Sequence, residues 1–194
     1  IKDLIKVVEE TTGNKVTAEA LAENIKKINA KRAALQRLYS LRWKENVPIS
    51  GTDVLLISQI AYYDDPERFA AMVNKLCDEL EQRVADGVNL AAGKKRILIS
   101  GTPMAIPNWK LHNIIETSGG AVVCEETCTG TRYFSNLVDE SGKTIDEMVQ
   151  DIANTICALC RSRFLHTDYP GRKSSAGNLA FAYSPSDIVF GPVY

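Results

Sequence analysis

The feature that most constrains the fold is a change of hydrophobic pattern at Gly93. Before this residue, apolar side chains recur at steps of three and four residues, the spacing that places them on one face of an α-helix. After it, short apolar runs bounded by glycines are typical of buried strands. We therefore expect a helical subdomain over residues 1–92 and an α/β domain over residues 93–194, of which residues 161–194 form an atypical tail.

The opening stretch IKDLIKVVEE is typical of the middle of a helix, and three further helices are predicted after it. Thr17 is a suitable N-cap for the first, which runs to about Glu45. The second covers residues 53–62, and Asp65 caps the third, with Pro66 at its first position. Four cations lie between the apolar positions of the first helix, and we expect them to form a solvated face: Lys26, Lys27, Lys31 and Arg32.

The later part of the chain has the pattern strand, helix, strand, which is a βαβ unit with a parallel sheet. We predict strands near residues 96–100 and 120–125, joined by a helix between Pro107 and Gly119. Residues 127–143 are predicted to form a loop, and a further helix begins at Thr144. The expected class is α/β, with a helical subdomain before an incomplete three-layer parallel unit of flavodoxin or Rossmann type.

The stretch CEETCTG, residues 124–130, places two thiols just beyond a predicted strand, where functional loops of such domains lie. Cys157 and Cys160 form a C-x-x-C pair near the end of the last predicted helix. With Cys124 and Cys128 they make four thiols, the number of ligands in a zinc or iron–sulfur site. A C-x-x-C pair is equally compatible with buried helical side chains, and Cys124 fits the last inward position of its strand. The residues alone leave both alternatives open.

Charged neighbours affect the pKa of these thiols. Glu125 and Glu126 disfavour a reactive thiolate, because nearby negative charge raises the pKa of a thiol, and Arg132 offsets that charge. The two histidines, His112 and His166, are far apart in the sequence, and His112 in the middle of a helix is expected to be structural. A histidine-based catalytic or zinc site therefore has little support.

Composition excludes several classes of function. The formal net charge of −1 over 194 residues argues against binding to nucleic acid or to an anionic membrane. No apolar run approaches the roughly 20 residues of a membrane span. Five cysteines are an odd number in a chain large enough to bury a core, so we expect reduced thiols and a cytoplasmic location.

The stretch RILISGTPMAIPNWKLHNIIETSGGAVVCEETCTGTRYF, residues 96–134, resembles the 2-hydroxyacyl-CoA dehydratase family. That family includes iron–sulfur dehydratase components, subunits of benzoyl-CoA reductase and double-cubane cluster reductases. Three features carry the resemblance: the GTPMAIPNWKL turn and helix, the GGAVV strand and the E-x-C-T-G-T-R-Y-F loop. Including the upstream helices, the similarity covers roughly residues 1–156.

The resemblance implies an iron–sulfur cluster, either 4Fe–4S or double-cubane, with Cys128 as one ligand. Thr129 and Gly130 would shape the loop, and Arg132 would face the cluster or a CoA phosphate. Cys157 or Cys160 would correspond to a cysteine pair of the family. The family's additional α/β domain is not found before the helices, so we expect this chain to be a fragment that is inactive alone.

The function implied by the resemblance is radical dehydration of a 2-hydroxyacyl-CoA to an enoyl-CoA. Its partners would be the acyl-CoA substrate, an ATP-dependent activator protein that delivers an electron, and a second subunit in a homo- or heterodimer. One alternative is a double-cubane reductase of small unsaturated molecules, and another is a cluster-free scaffold or truncated copy. An open face around Ile106, Trp109 and Phe134 is the expected interface.

Overall fold

The computed structural model describes residues 2–101, 103–104, 106–164 and 188–190. The described helices and strands follow one another as α1 (Lys2–Thr12), α2 (Ala18–Arg42), α3 (Gly51–Ile60), α4 (Pro66–Ala85), β1 (Lys95–Ser100), α5 (Lys110–Thr117), β2 (Gly120–Glu126), α6 (Thr131–Phe134), α7 (Ile145–Phe164) and β3 (Ile188–Phe190). Helices therefore precede the first strand, and strands appear only after Gly93, where the hydrophobic pattern changes.

The described strands form one parallel sheet in the order β2–β1–β3. With α5 crossing between β1 and β2, this order is the beginning of a flavodoxin-like arrangement. The predicted class, helices followed by a partial parallel α/β unit, is confirmed. The sequence does not predict β3, because a run of three apolar residues is shorter than the runs that identify strands. Most of the tail, residues 165–187 and 191–194, lies outside the described residues.

The helix starts are set by local hydrogen bonds that the sequence predicts well. The hydroxyl of Thr17 accepts from the N–H of Ala20 at 3.2 Å, and the carboxylate of Asp65 accepts from two N–H groups in the first turn of α4. Both predicted N-caps are confirmed. The C-terminal ends agree less well: α2 ends at Arg42 rather than near Glu45. The boundary placed after residue 92 stays a prediction.

The main hydrophobic core lies between α2, α3 and α4, and it also includes the short helix α6. Phe134 of α6 is 1% exposed, and its ring centroid lies 4.7 Å from that of Tyr39 in α2. The prediction of a continuous loop over residues 127–143 is therefore wrong, because burial of Phe134 folds one helical turn onto α2. The same burial removes Phe134 from the predicted open face, whereas Ile106 and Trp109 are exposed.

Lys31 does not belong to the predicted solvated face of α2. Its side chain is buried, and its Nζ donates to the carbonyl of Ala61, at the C-terminal end of α3, at 2.9 Å. A cation at that position compensates the partial negative charge of the helix end. Helical spacing predicted that Lys31 is exposed. Spacing within one helix does not show that another helix covers this position.

The helix α5 begins at Lys110, three residues after Pro107, which was predicted to start it. The intervening residues form a turn in which the N–H of Trp109 donates to the carbonyl of Pro107 at 3.1 Å. The indole Nε1–H of Trp109 also donates to the side chain of Gln59 at 3.0 Å. These bonds hold residues 107–109 outside the helix.

The final helix, α7, starts where the sequence predicts. The N–H of Glu147 donates to the hydroxyl of Thr144 at 3.2 Å, and the carboxylate of Glu147 accepts from the N–H of Thr144 at 3.0 Å. This reciprocal pair is a capping box. Among the helices that the structure describes, none combines the length and apolar composition needed to cross a membrane.

A β-bulge in β2 decides which side chains face α5. Ile97 pairs with Val122, but Leu98 pairs with Cys124, so Val123 is the extra residue. Ile99 consequently pairs with Glu125 rather than with the residue before it. Because paired residues of a sheet share a face, Glu125 lies on the face where α5 packs.

Candidate functional site

A buried network of charge lies beneath the loop that follows β2. The guanidinium of Arg42 donates to both carboxylate oxygens of Glu125, at 2.7 and 3.1 Å, and His112 Nε2 lies 2.9 Å from Glu125 Oε1. Arg42 also donates to the carbonyl of Val122 at 2.5 Å. All three side chains are at most 1% exposed. The network joins the end of α2, the middle of α5 and the end of β2.

The charge states of Arg42 and Glu125 follow from this pairing. Burial raises the pKa of Glu125, but the charge of Arg42 and the hydrogen bonds from His112 and Arg42 outweigh burial and hold the pKa at about 2. Burial likewise lowers the pKa of Arg42, and the charge of Glu125 outweighs it, so the pKa of Arg42 is raised. The pair is therefore ionised inside the protein.

The loop after β2 folds back onto its own strand at Gly130. A Cβ on Gly130 would overlap the carbonyl oxygen of Glu125 and lie 3.0 Å from the Thr127 hydroxyl. The N–H of Gly130 donates to the carbonyl of Thr127 at 3.1 Å, and the hydroxyl of Thr131 donates to the carbonyl of Glu125 at 3.2 Å. The chain's own backbone thus requires glycine at this position.

Thr129 and Arg132 connect the same loop to the neighbouring strand end. The hydroxyl of Thr129 accepts from the N–H of Met104 at 3.3 Å. Arg132 donates to the carbonyl of Gly101 at 3.1 Å and lies 3.4 Å from the carboxylate of Glu126. The Arg132 side chain is 20% exposed at the carboxyl edge of the sheet, and each of its guanidinium nitrogens has a partner there.

The described cysteines differ sharply in exposure. Cys77 and Cys124 are buried, whereas Cys128 is half-buried and lies in the loop beyond β2. Burial raises the pKa of the Cys77 thiol to about 11. The side chains of Cys157 and Cys160 lie outside the described residues. Cys128 is thus the predicted ligand residue whose thiol the structure places at the sheet edge and within reach of solvent.

A pair of tyrosines, Tyr62 and Tyr133, lies near Cys128. The rings of Tyr62 and Tyr133 lie 5.0 Å apart, and the guanidinium of Arg32 lies 5.3 Å from the centroid of Tyr133. Burial raises the pKa of the Tyr62 hydroxyl, and the proximity of Tyr133 and Cys128 raises it further. Two aromatic rings and a cation therefore lie close to the Cys128 loop.

Whether an iron–sulfur cluster fits this region depends on how many thiols come together there. Such clusters are held by several cysteine thiolates. Among the residues that the structure describes, no three His, Cys, Asp or Glu side chains come together as a metal site. Among the described residues this loop therefore carries one half-buried thiol, that of Cys128, and a complete cluster site would need ligands from outside the described side chains.

Sequence reasoning missed the buried network, although two signals were present. It identified His112 as structural, and the structure places that imidazole in the interior. Glu125 was considered only as an acidic neighbour of the thiols, and the bulge at Val123 turns its side chain inward. A histidine facing the apolar side of α5 and an arginine at the end of α2 were the available signs of a buried carboxylate.

Fold and loop together define an α/β protein whose candidate site is a cysteine-bearing loop beyond the carboxyl end of a parallel strand. Within that class, the chain belongs to the family described as 2-hydroxyglutaryl-CoA dehydratase, D-component, whose family model matches residues 1–190. The resemblance seen in the sequence is thereby confirmed.

Two curated relatives are similar to this chain. YjiM of Escherichia coli (strain K12), named as a dehydratase subunit, is 32% identical over 146 residues, which cover 75% of this chain and 38% of the relative. A benzoyl-CoA reductase subunit from Thauera aromatica is 26% identical over 151 residues, covering 76% of this chain and 37% of the relative. The chain thus spans less than two-fifths of the length of either relative.

Proposed function

We propose that this chain is part of the iron–sulfur component of a 2-hydroxyacyl-CoA dehydratase, in which Cys128 binds one iron of a 4Fe–4S or double-cubane cluster. The observation that carries the proposal is the position of the Cys128 thiol. It is half-buried, at the carboxyl edge of a parallel sheet, in a chain that belongs to a dehydratase-component family. The two other described thiols, Cys77 and Cys124, are buried.

When bound, the cluster would supply one-electron chemistry that amino-acid side chains do not provide. Cys128 would hold iron as a thiolate, because thiolate sulfur is a soft ligand. The hydroxyl of Thr129 and the close backbone packing of Gly130 would keep the loop in shape. Arg132 would face an anion, either the cluster or a CoA phosphate. Cys157 and Cys160 are further candidate ligands.

The proposal includes partners that the relatives' names support. YjiM is named as a subunit, as is the benzoyl-CoA reductase protein, and these names support our proposal of a homo- or heterodimer for this chain. The substrate would be an acyl-CoA, and an ATP-dependent activator would deliver the electron. The proposed location is the cytoplasm, because an odd number of cysteines in a chain of this size is typical of reduced thiols.

A reductase is the second candidate function. Its support is the similarity to the benzoyl-CoA reductase protein, which covers nearly the same share of this chain as the similarity to the dehydratase protein. In this alternative Cys128 would keep its role as ligand, and a double-cubane cluster would reduce a small unsaturated molecule. A cluster-free scaffold is the remaining possibility, and its support is the single accessible thiol among the described side chains.

Iron content and turnover of cysteine variants test the proposal. The protein, with whatever flanking sequence its gene encodes, is purified without oxygen as wild type, Cys128→Ser and Cys124→Ser. We expect Cys128→Ser to lose iron, sulfide and dehydration of 2-hydroxyacyl-CoA, and Cys124→Ser to keep most of each. The reverse pattern would identify Cys124 as the ligand. A wild type without iron would favour the scaffold, and reduction without dehydration would favour the reductase.

A further inference from the structure

We propose that Arg42, Glu125 and His112 are positioning residues that fix the Cys128 loop from beneath. The inference rests on the proposed function only in assigning a ligand role to Cys128. The network is buried beneath the loop. It acts through the backbone of Glu125, on which the loop rests.

The first step is the direction of the Glu125 side chain. The bulge at Val123 shifts the register, so that Ile99 pairs with Glu125. The carboxylate therefore enters the space between α2 and α5, where Arg42 and His112 meet it. Without the extra residue, Cys124 would take the position opposite Ile99, and Glu125 would face the other way. Bulges commonly re-aim side chains in this manner next to functional sites.

The second step concerns what the network contributes. Removing a guanidinium, a carboxylate and an imidazole from water opposes folding, and apolar residues of similar volume often stabilise a core at least as well. The ion pair is bidentate, and the imidazole adds a third hydrogen bond to the same carboxylate. Such an arrangement fixes direction as well as distance. Its advantage over an apolar cluster is that it holds Glu125, at the end of β2, in one position and orientation.

The third step links the strand end to the loop. The carbonyl of Glu125 accepts from the Thr131 hydroxyl, and Gly130 packs directly against the same carbonyl. The N–H of Gly130 in turn donates to the carbonyl of Thr127. Cys128 lies within this closed turn, between Thr127 and Gly130. A shift of the Glu125 backbone would therefore move the contacts on which both sides of the turn depend.

The test measures the alkylation rate of Cys128 by iodoacetamide in the chain itself, resolved by peptide mass spectrometry. We expect His112→Leu to raise this rate about fivefold or more, because local opening of the loop exposes the thiol. The conservative His112→Gln should restore a slow rate, since its amide nitrogen can replace Nε2 as donor to Glu125. Cys77, which lies in the core between the helices, serves as the internal reference for global unfolding.

Ile115→Ala is the matched control, because Ile115 packs from the same helix onto the sheet and its side chain has no group that could hydrogen-bond to Glu125. It should leave the Cys128 rate unchanged at comparable stability. Thr131→Val provides a second variant that conserves shape, cuts the hydrogen bond to Glu125 and should also raise the rate.

An unchanged Cys128 rate in His112→Leu and Thr131→Val, or an equal rise at Cys77 or in Ile115→Ala, would overturn the proposal. Iron loss in Cys128→Ser is measured separately, so failure of the proposed function is distinguishable from failure of this inference.

Discussion

The carboxylate of Glu116, in the last turn of α5, binds the backbone N–H of Gly51, the first residue of α3, at 2.6 Å. The same carboxylate accepts from the N–H and the hydroxyl of Thr52, at 3.2 and 2.7 Å. An anion is favourable at this position because a helix N-terminus has unpaired N–H groups and a partial positive charge. The contact fixes α3 against the crossover helix of the βαβ unit.

Replacing Glu116 should therefore weaken the whole fold. We expect Glu116→Gln to lower the free energy of unfolding by about 1–2 kcal/mol, because the amide keeps one acceptor oxygen but loses the charge. Urea unfolding followed by circular dichroism measures the change. Glu79→Gln, at an exposed position of α4, is the control and should leave the unfolding curve unchanged. Equal curves for both variants would show that the capping contact contributes nothing.

Gly130 gives a second prediction, which concerns the site as well as stability. Gly130→Ala should lower the free energy of unfolding by about 1–3 kcal/mol, because the new methyl group overlaps the carbonyl of Glu125. It should also change the alkylation rate of Cys128, since the turn must open to relieve the overlap. Thermal unfolding and thiol labelling provide the two measurements.

The control for this variant is Gly87→Ala. Gly87 has a φ of 80° and no atom near the position of a Cβ, so alanine there introduces backbone strain of about 1–2 kcal/mol without a clash. Gly87→Ala should lower stability and leave Cys128 unaffected. If both variants change Cys128 labelling equally, the effect comes from lower stability and not from the turn.

The sequence predicts those parts of the fold that depend on local interactions. Thr17 and Asp65 were recognisable as N-caps because their hydrogen bonds reach only two or three residues along the chain. The strands β1 and β2 were recognisable from short apolar runs beside glycines. Parallel pairing followed from the helix between them, since a crossover of that length returns the chain in the same direction.

The buried network was not predictable in the same way. Arg42 and Glu125 are 83 positions apart. Their contact depends on a one-residue bulge, which no local sequence pattern predicts. Lys31 is a similar case, because its burial depends on where α3 ends. For the site, the strand-end rule and the family resemblance identified the Cys128 loop. The surroundings of that loop come from separate helices and required the structure.

The cysteines give a third prediction, about chemical reactivity. In the folded chain Cys128 should react with iodoacetamide well before Cys77 and Cys124, because those two thiols are buried. Burial also raises the pKa of Cys77 to about 11, so little of it is thiolate near neutral pH. Site-resolved mass spectrometry gives the order of labelling, and labelling in denaturant should remove the differences. Early modification of Cys77 under native conditions would contradict the described packing.

The last prediction concerns acid stability and follows from Glu125. Its pKa is about 2 in the folded chain, against an ordinary value of 4.5 for an unperturbed glutamate. Because the folded state holds this proton more weakly, the contribution to stability is complete above pH 4.5 and is lost as the pH falls towards 2. The shift corresponds to about 3 kcal/mol across that window.

Comparison of wild type with Glu125→Gln isolates this contribution. At neutral pH the variant should be less stable by about 3–5 kcal/mol, because Arg42 stays buried without its counter-ion. Between pH 4.5 and 2, its free energy of unfolding should fall less steeply than that of wild type. Other carboxylates with lowered pKa, such as Asp64 and Glu147, are common to both proteins and cancel in the difference. Parallel curves across this range would mean that Glu125 is not ionised against Arg42 in the folded protein.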